Sequence, residues 1–225
     1  MEKKMSRREF LKASAATGAI LSMAPSFALA EEPKTIQLVA PQPGAGSPLI
    51  QLLWKRKSSR EFSPKPLPTE VLSNLLWAGF GINRPDGKRT APSAMNRQEV
   101  DIYVILSDGI YLYDAKANQL KLIVAEDLRG LAGTQAYVKE APVNLIYVSD
   151  YAKMGDKVPN ELKVLLSGSH AGFISENVYL YCVSEGLATV VRAFIDIPAL
   201  SKAMKLRPDQ KIILGQSVGY PKTTS

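Results

Sequence analysis

The chain has 225 residues, 28 Lys+Arg against 21 Asp+Glu, and a single histidine and a single cysteine. One histidine rules out a multi-histidine metal site and one cysteine rules out an intramolecular disulfide, and a Ser-His-Asp hydrolase would depend on that one histidine with no nucleophile motif beside it. Part of the basic excess is local: residues 1–30 hold five basic and two acidic residues, so the remainder keeps 23 against 19, a net +4, with no long basic run after residue 60 to form a nucleic-acid footprint.

The N-terminus accounts for that local excess. Lys3, Lys4, Arg7, Arg8 and Lys12 form a basic head, and Ser6-Arg7-Arg8-Glu9-Phe10-Leu11-Lys12 has the form of a twin-arginine export signal. Ala13 to Ala30 is uncharged, and Ala28-Leu29-Ala30 supplies small residues for a cleavage site. Residues 1–30 are therefore expected to be a cleaved signal that engages the twin-arginine export machinery and delivers the protein to the periplasm or beyond. The stretch contains Ser, Thr, Gly and Pro25 and is weakly apolar for a spanning helix, and no later stretch spans a bilayer, so no stable membrane anchor is expected.

Residues 31–48, with Pro33, Pro41, Pro43, Gly44, Gly46 and Pro48, are too rich in breakers for a helix and predict an extended leader ahead of one domain over 49–225. Leu49, Leu52 and Leu53 predict a short helix to Lys57. Ser63 to Pro68 is an extended connection, because residues before proline leave the α region. Thr69 is the expected cap of a helix whose apolar face is Val71, Leu72, Leu75 and Leu76, ending near Gly79 or Gly81.

Alternation of Val100, Ile102, Val104 and Leu106 predicts a strand from Glu99, turned at Ser107-Asp108-Gly109 into a partner over Ile110 to Asp114. Asn118 to Val124 is a further strand, and Val143 to Val148 is apolar enough to be buried on both faces. Ser169 to Glu185 predicts a long helix with Phe173, Asn177, Leu180, Tyr181 and Ser184 on one face, closed by Gly186. In that frame His170 is an ordinary helix-start contact and Cys182 a buried small hydrophobe. A strand over Leu187 to Val191, a short helix over Pro198 to Met204 and a strand over Lys211 to Tyr220 complete an α+β pattern.

Three segments carry the chemistry. Arg56-Lys57-Ser58-Ser59-Arg60 offers a guanidinium fork, an ammonium and hydroxyls suited to a phosphate. Arg89 to Gln98 is a polar loop entering a strand, in which Asn96 and Gln98 can face a heteroaromatic ring. Gly215-Gln216-Ser217-Val218-Gly219-Tyr220-Pro221-Lys222 ends a strand at a turn with a cation beyond it.

In order and spacing over about residues 50 to 222, these segments resemble the nitroreductase family of FMN-dependent oxidoreductases. The matching stretches are Arg56 to Phe62, the helix after Leu67, the Pro92-Ser93 loop with its asparagine, the glycine-bearing helix with Asn177, Gly186-Leu187 and Val218 to Pro221. Gly87 to Ala94 and Gly109 to Asp114 look like the SagB-type, thiazoline-oxidase-like branch, whereas Met95-Asn96-Arg97-Gln98 is closer to ordinary nitroreductases.

The resemblance implies a nitroreductase-like fold, with a mixed, mostly antiparallel central sheet flanked by helices, in an intertwined homodimer. It implies FMN as cofactor, with hydride or electron transfer through flavin N5 to or from a small organic substrate. It assigns Arg56, Lys57 and Ser58 to the phosphate and ribityl chain, Arg60 to a second charge, and Lys222 to the phosphate. Ser93, Ala94 and Asn96 match the loop beneath the flavin ring, Asn96 serving the flavin across the interface. Arg192-Ala193 stands where ordinary nitroreductases carry Glu-Gly. No proton-transferring side chain and no metal ligand is assigned. A flavin-binding protein without efficient turnover, an azoline-type dehydrogenase of modified peptides and a non-catalytic exported binding domain remain as alternatives.

Overall fold

The structure, a computed structural model, describes residues 34–41 and 47–222. The signal segment, its expected cleavage site and residues 42–46 of the leader lie outside the described residues. Among the described residues seven strands form one sheet: β1 (Thr35–Gln37), β2 (Val100–Leu106), β3 (Gly109–Asp114), β4 (Gln119–Val124), β5 (Val143–Asp150), β6 (Ala188–Arg192) and β7 (Gln210–Gly219). Their order is β1-β4-β3-β2-β5-β7-β6, and every pairing is antiparallel. The sheet, expected to be mostly antiparallel, is wholly so among the described residues. The helices are α1 (Leu49–Lys55), α2 (Thr69–Phe80), α3 (Tyr137–Glu140), α4 (Asn160–Ser184) and α5 (Ile197–Ala203).

Period-two alternation feeds two cores. Val100, Ile102 and Val104 of β2, with Val143, Leu145 and Tyr147 of β5, pack under α2 and α4 against Leu72, Leu75, Leu76, Ile174 and Val178. Tyr103 and Ile105 of β2, with Ile146 and Val148 of β5, point to the opposite face and meet Val138, Leu200 and Met204. The central strands are therefore buried on both sides, which is why β5 reads as an unbroken apolar run. Helices α2 and α4 approach closely at Gly79, where a built Cβ would lie 3.1 Å from Val178 Cγ2. Leu75 is fully buried in this packing. Leu75→Ala is expected to cost about 2–5 kcal/mol, measured by urea unfolding.

The ends of the elements differ from their expected positions in instructive ways. Pro68, not Thr69, occupies the cap position of α2, and no side chain caps it. The far end of α2 is held instead by Arg89, whose Nη1 donates to Phe80 O at 2.9 Å while its guanidinium lies 4.8 Å over the Phe80 ring. Helix α4 begins at Asn160, nine residues before the expected start, and its buried face is Ala171, Ile174, Val178 and Cys182. Phe173, on the face expected to carry Asn177, Leu180, Tyr181 and Ser184, is exposed. At the other end Gly186, at φ +67, closes α4 with Gly186 N–H donating to Val183 O and Leu187 N–H donating to Cys182 O, the paired bonds of a Schellman turn. Thr35–Gln37, placed by the sequence in an extended leader, pairs with β4 and extends the sheet.

Candidate functional site

The chain leaves α1 at Arg56 and runs along the β6 edge of the sheet, where Ser59 N–H donates to Thr189 O at 2.9 Å and Phe62 bridges Pro221. This brings two ends of the domain together. Lys57, Arg60 and Lys222 line one cavity of about 340 Å³, with Ser59, Glu61 and Pro221. An adjoining cavity of about 250 Å³ shares Lys57, Ser59 and Pro221 and reaches Gly186, Leu187 and Thr189 at the start of β6. None of Lys57, Arg60 and Lys222 has a carboxylate within ion-pair distance among the described residues. Three cations, none of them ion-paired, against the one carboxylate of Glu61 leave the concavity with a net positive charge that suits an anion such as a phosphate monoester.

The other two residues of the predicted cluster turn elsewhere. The Arg56 guanidinium sits 5.3 Å over the ring of Tyr179 on α4, and Ser58 Oγ lies 2.9 Å from Tyr179 Oη. Tyr179 Oη also accepts the N–H of Val191 at 2.9 Å. The phenol therefore ties α4, β6 and the Arg56–Arg60 segment together. Nothing in the sequence marked Tyr179, since it is one more residue on the inner face of a long helix.

Arg192, at the end of β6, is 6 % exposed. Its Nη2 donates to Ala132 O at 2.8 Å and to Asn144 Oδ1 at 3.0 Å, whereas Nε and Nη1 are buried without partners. Burial depresses its proton affinity to about 10, and no carboxylate figures among the groups that act on it. Space for the guanidinium depends on glycine: a Cβ at Gly215 would lie 3.0 Å from Nη1, and one at Gly133 only 2.6 Å from Nε. Gln135 Oε1, another buried atom without a partner, lies 3.1 Å from that same Gly133 position. Ala193 is exposed beside it. A buried cation with open donors and no counter-ion is a costly arrangement for a protein interior.

The loop from Ser93 to Gln98 contains a short 3₁₀ turn over Ala94–Asn96. Met95, Asn96 and Gln98 hold φ of +53, +53 and +48. Gln98 is committed inside the loop: its Nε2 donates to Gly87 O and Asn96 Oδ1, and its Oε1 accepts from Arg89 Nε. Ser93 Oγ accepts from Gln98 N–H. Asn96 thus keeps only its amide nitrogen free of these bonds, and Gln98 does not face outward as a ring contact. The loop reaches α4 through Ala94, whose N–H donates to His170 Nε2 at 3.0 Å. His170 is not at a helix start but on the buried face of α4. Cys182 is fully buried, and burial pushes its thiol well above the ordinary range, as befits a small hydrophobe.

Gln216 and Ser217 of the third segment are spent within the sheet. Tyr147 Oη donates to Gln216 Oε1, Gln216 Nε2 donates to Thr189 Oγ1, and Ser217 Oγ donates to the Asn144 Oδ1 that also receives Arg192. Pro221 and Lys222, beyond the strand, are what this segment presents to the cavity, and Lys222 is its one charge there.

Fold and site define an α+β domain with a cationic cavity at one sheet edge and an unpaired arginine buried at the end of the edge strand. The model of the nitroreductase family matches residues 53–220, and the chain belongs to that family. A Methanocaldococcus jannaschii protein named as a nitroreductase is 32% identical over 159 residues, 66% of this chain and 80% of that protein. A crystal structure from Ralstonia eutropha JMP134, also named as a nitroreductase, has a TM-score of 0.81 at 41% identity, covering 84% of this chain and 90% of that one. A structure from Anabaena variabilis shares the fold with a TM-score of 0.71 at 19% identity, covering 84% of this chain and 42% of that one. The model of the twin-arginine signal matches residues 4–24, so the chain carries a twin-arginine export signal. No helix among the described residues is long and apolar enough to cross a membrane.

Proposed function

We propose that the protein is an exported FMN-dependent oxidoreductase acting on a small organic substrate. The observation that carries this reading is the convergence of Lys57, Arg60 and Lys222 on one cavity, without acidic partners, in a chain of the nitroreductase family. The donor set fits a flavin mononucleotide: those three cations would hold its phosphate. Arg56 and Ser58, anchored on Tyr179, would border the same ligand from the α4 side. Ser93, Ala94 and Asn96 would flank the ring system, the asparagine through its free amide nitrogen.

Arg192 would face the part of the ring that gains negative charge on reduction, and Ala193 beside it adds no charge of its own. When bound, the flavin supplies hydride or electron transfer through N5. The chain's part is to bind the phosphate, fix the ring and place a positive charge where reduction needs it. Export removes the protein from the cytoplasmic NAD(P)H pool, so a quinol or a protein electron donor is the proposed physiological reductant. Loading FMN before export would give reason for the twin-arginine route. Gly87 to Ala94 and Gly109 to Asp114 support a place near the SagB-type branch.

Trp54 is 86% exposed, Met95 84% and Leu165 64%, and Gly168 and Gly172 on α4 have nothing within 4 Å of a built Cβ. These faces would be covered in a homodimer. The mature chain, beginning after Ala30, is expected to elute in light-scattering chromatography at twice its own mass, and Leu165→Glu is expected to shift it toward monomer.

The enzymatic reading is tested by the absorbance spectrum of purified mature protein, followed by anaerobic addition of NADH, a water-soluble quinol and dithionite. Flavin bands bleached by the quinol support the proposal. Bands bleached by dithionite alone indicate a flavin-binding protein without turnover, and a chain that takes up no added FMN contradicts the reading.

A further inference from the structure

His170 and Glu99 lie outside every role described so far, yet both are buried, and Glu99 is fully so. His170 Nε2 accepts the Ala94 N–H, so its ring proton resides on Nδ1, and Nδ1 faces Glu99 Oε1 in a short contact. An imidazole that accepts at one nitrogen and donates at the other is neutral, and the carboxylate is its acceptor. Glu99 Oε2 has no partner. The order is therefore Glu99, His170, Ala94: a carboxylate fixes a ring, and the ring fixes a backbone amide.

That amide belongs to a loop that needs fixing. Met95, Asn96 and Gln98 all occupy the left-handed region, which residues with a Cβ adopt at a cost. The loop's remaining side-chain bonds are to itself or to the neighbouring 87–90 turn. The Ala94–His170 bond ties it to the long helix and so to the core. Glu99 immediately precedes β2, and its own carbonyl accepts Asp150 N–H from β5. The carboxylate is thus carried by the sheet and the imidazole by α4.

We propose that Glu99 and His170 are a buried positioning pair that holds the Ser93–Gln98 loop in its strained, folded form, ready for the flavin ring before the cofactor arrives. Neither residue touches a reacting atom; both act through the loop. The inference rests on the flavin reading of Ser93, Ala94 and Asn96, but its first observable does not.

The test is amide hydrogen exchange on the mature chain without FMN, together with FMN affinity by fluorescence titration, for His170→Phe and His170→Gln. Gln can place an amide oxygen near the position of Nε2 and accept the Ala94 N–H; Phe cannot. His170→Phe is expected to raise exchange at Ala94 through Gln98 at least tenfold and to weaken FMN binding about tenfold, with exchange in β5 and β7 unchanged. His170→Gln is expected to recover most of both. Glu99→Gln, which keeps shape but removes the carboxylate charge, is expected to fall between, and it stands in should His170→Phe not fold.

Native-like protection at Ala94 in His170→Phe overturns the proposal, and so does failure of glutamine to recover what phenylalanine loses. A freed loop with unchanged FMN affinity also overturns it, because the loop would then not be held for the cofactor. If the native chain binds no FMN, the flavin reading fails by itself and the exchange data alone still decide whether the pair holds the loop.

Discussion

Arg192→Met is expected to leave the apoprotein within about 1 kcal/mol of native stability while lowering the midpoint potential of bound flavin by tens of millivolts. The stability half follows from burial. Folding lowers the proton affinity of Arg192 from its ordinary range to about 10, so the charge costs about 3 kcal/mol to bury. The hydrogen bonds to Ala132 O and Asn144 Oδ1 offset that by about 1.5 kcal/mol each, the low end for bonds from a charged group. Methionine removes cost and compensation together. The sign with pH follows as well: between about 10 and the ordinary arginine range, the unfolded chain binds more protons, so this group's contribution to stability rises with pH there.

The redox half rests on the proposed place of Arg192 beside the flavin ring, which its two unpartnered donors, Nε and Nη1, support. A charged hydrogen bond that strengthens when the ring becomes negative is worth about 2–3 kcal/mol, or about 40–65 mV for a two-electron couple. Spectroelectrochemistry measures the shift, and urea unfolding measures the stability. A loss of stability above about 3 kcal/mol with an unmoved potential would mean that the guanidinium is structural.

The second large effect is expected at the cavity. Arg60→Ala with Lys222→Ala removes two of its three cations, both on exposed side chains, so folding should be unaffected. Each charged contact to a phosphate contributes about 1.5–3 kcal/mol, and their combined loss should weaken FMN binding at least about a hundredfold, since 1.4 kcal/mol is about tenfold. The native affinity should also fall with added salt, and the doubly substituted chain should lose most of that dependence. Equal affinity in the two proteins would move the phosphate elsewhere.

The strands were the most legible part of the sequence, β2 through the spacing of Val100, Ile102 and Val104 and β5 because burial on both faces leaves an unbroken apolar run. β2, β3, β4 and β5 fall within a residue or two of their expected bounds. Gly186 marked the end of α4 for a physical reason, since the chain needs positive φ there. The start of α4 was hidden because its first turns bury Lys163 and Ser167 rather than apolar side chains, and Gly168 reads as a boundary when it is an outward-facing residue. That error also misplaced His170, whose role depends on lying mid-helix and facing the core. β1 was hidden for another reason: a three-residue edge strand among prolines exists only because β4 offers an open edge, and no local pattern encodes that.

Within the site, the sequence identified residue types but not their directions. Arg56 and Ser58 turn toward Tyr179, while Lys57 and Arg60 turn toward Lys222, a division set by how the segment lies along β6. The burial of Arg192 follows from pairing across β5, β7 and β6 and from the absence of a Cβ at Gly215. Both are long-range facts that a linear reading cannot supply.

The most direct measurement is a parallel titration of the apoprotein with FMN and with riboflavin, which differ only in the phosphate. A cavity of Lys57, Arg60 and Lys222 that holds the phosphate predicts one FMN per chain and riboflavin bound at least about a hundredfold more weakly. Equal affinity for the two, or no binding of either, would contradict the account.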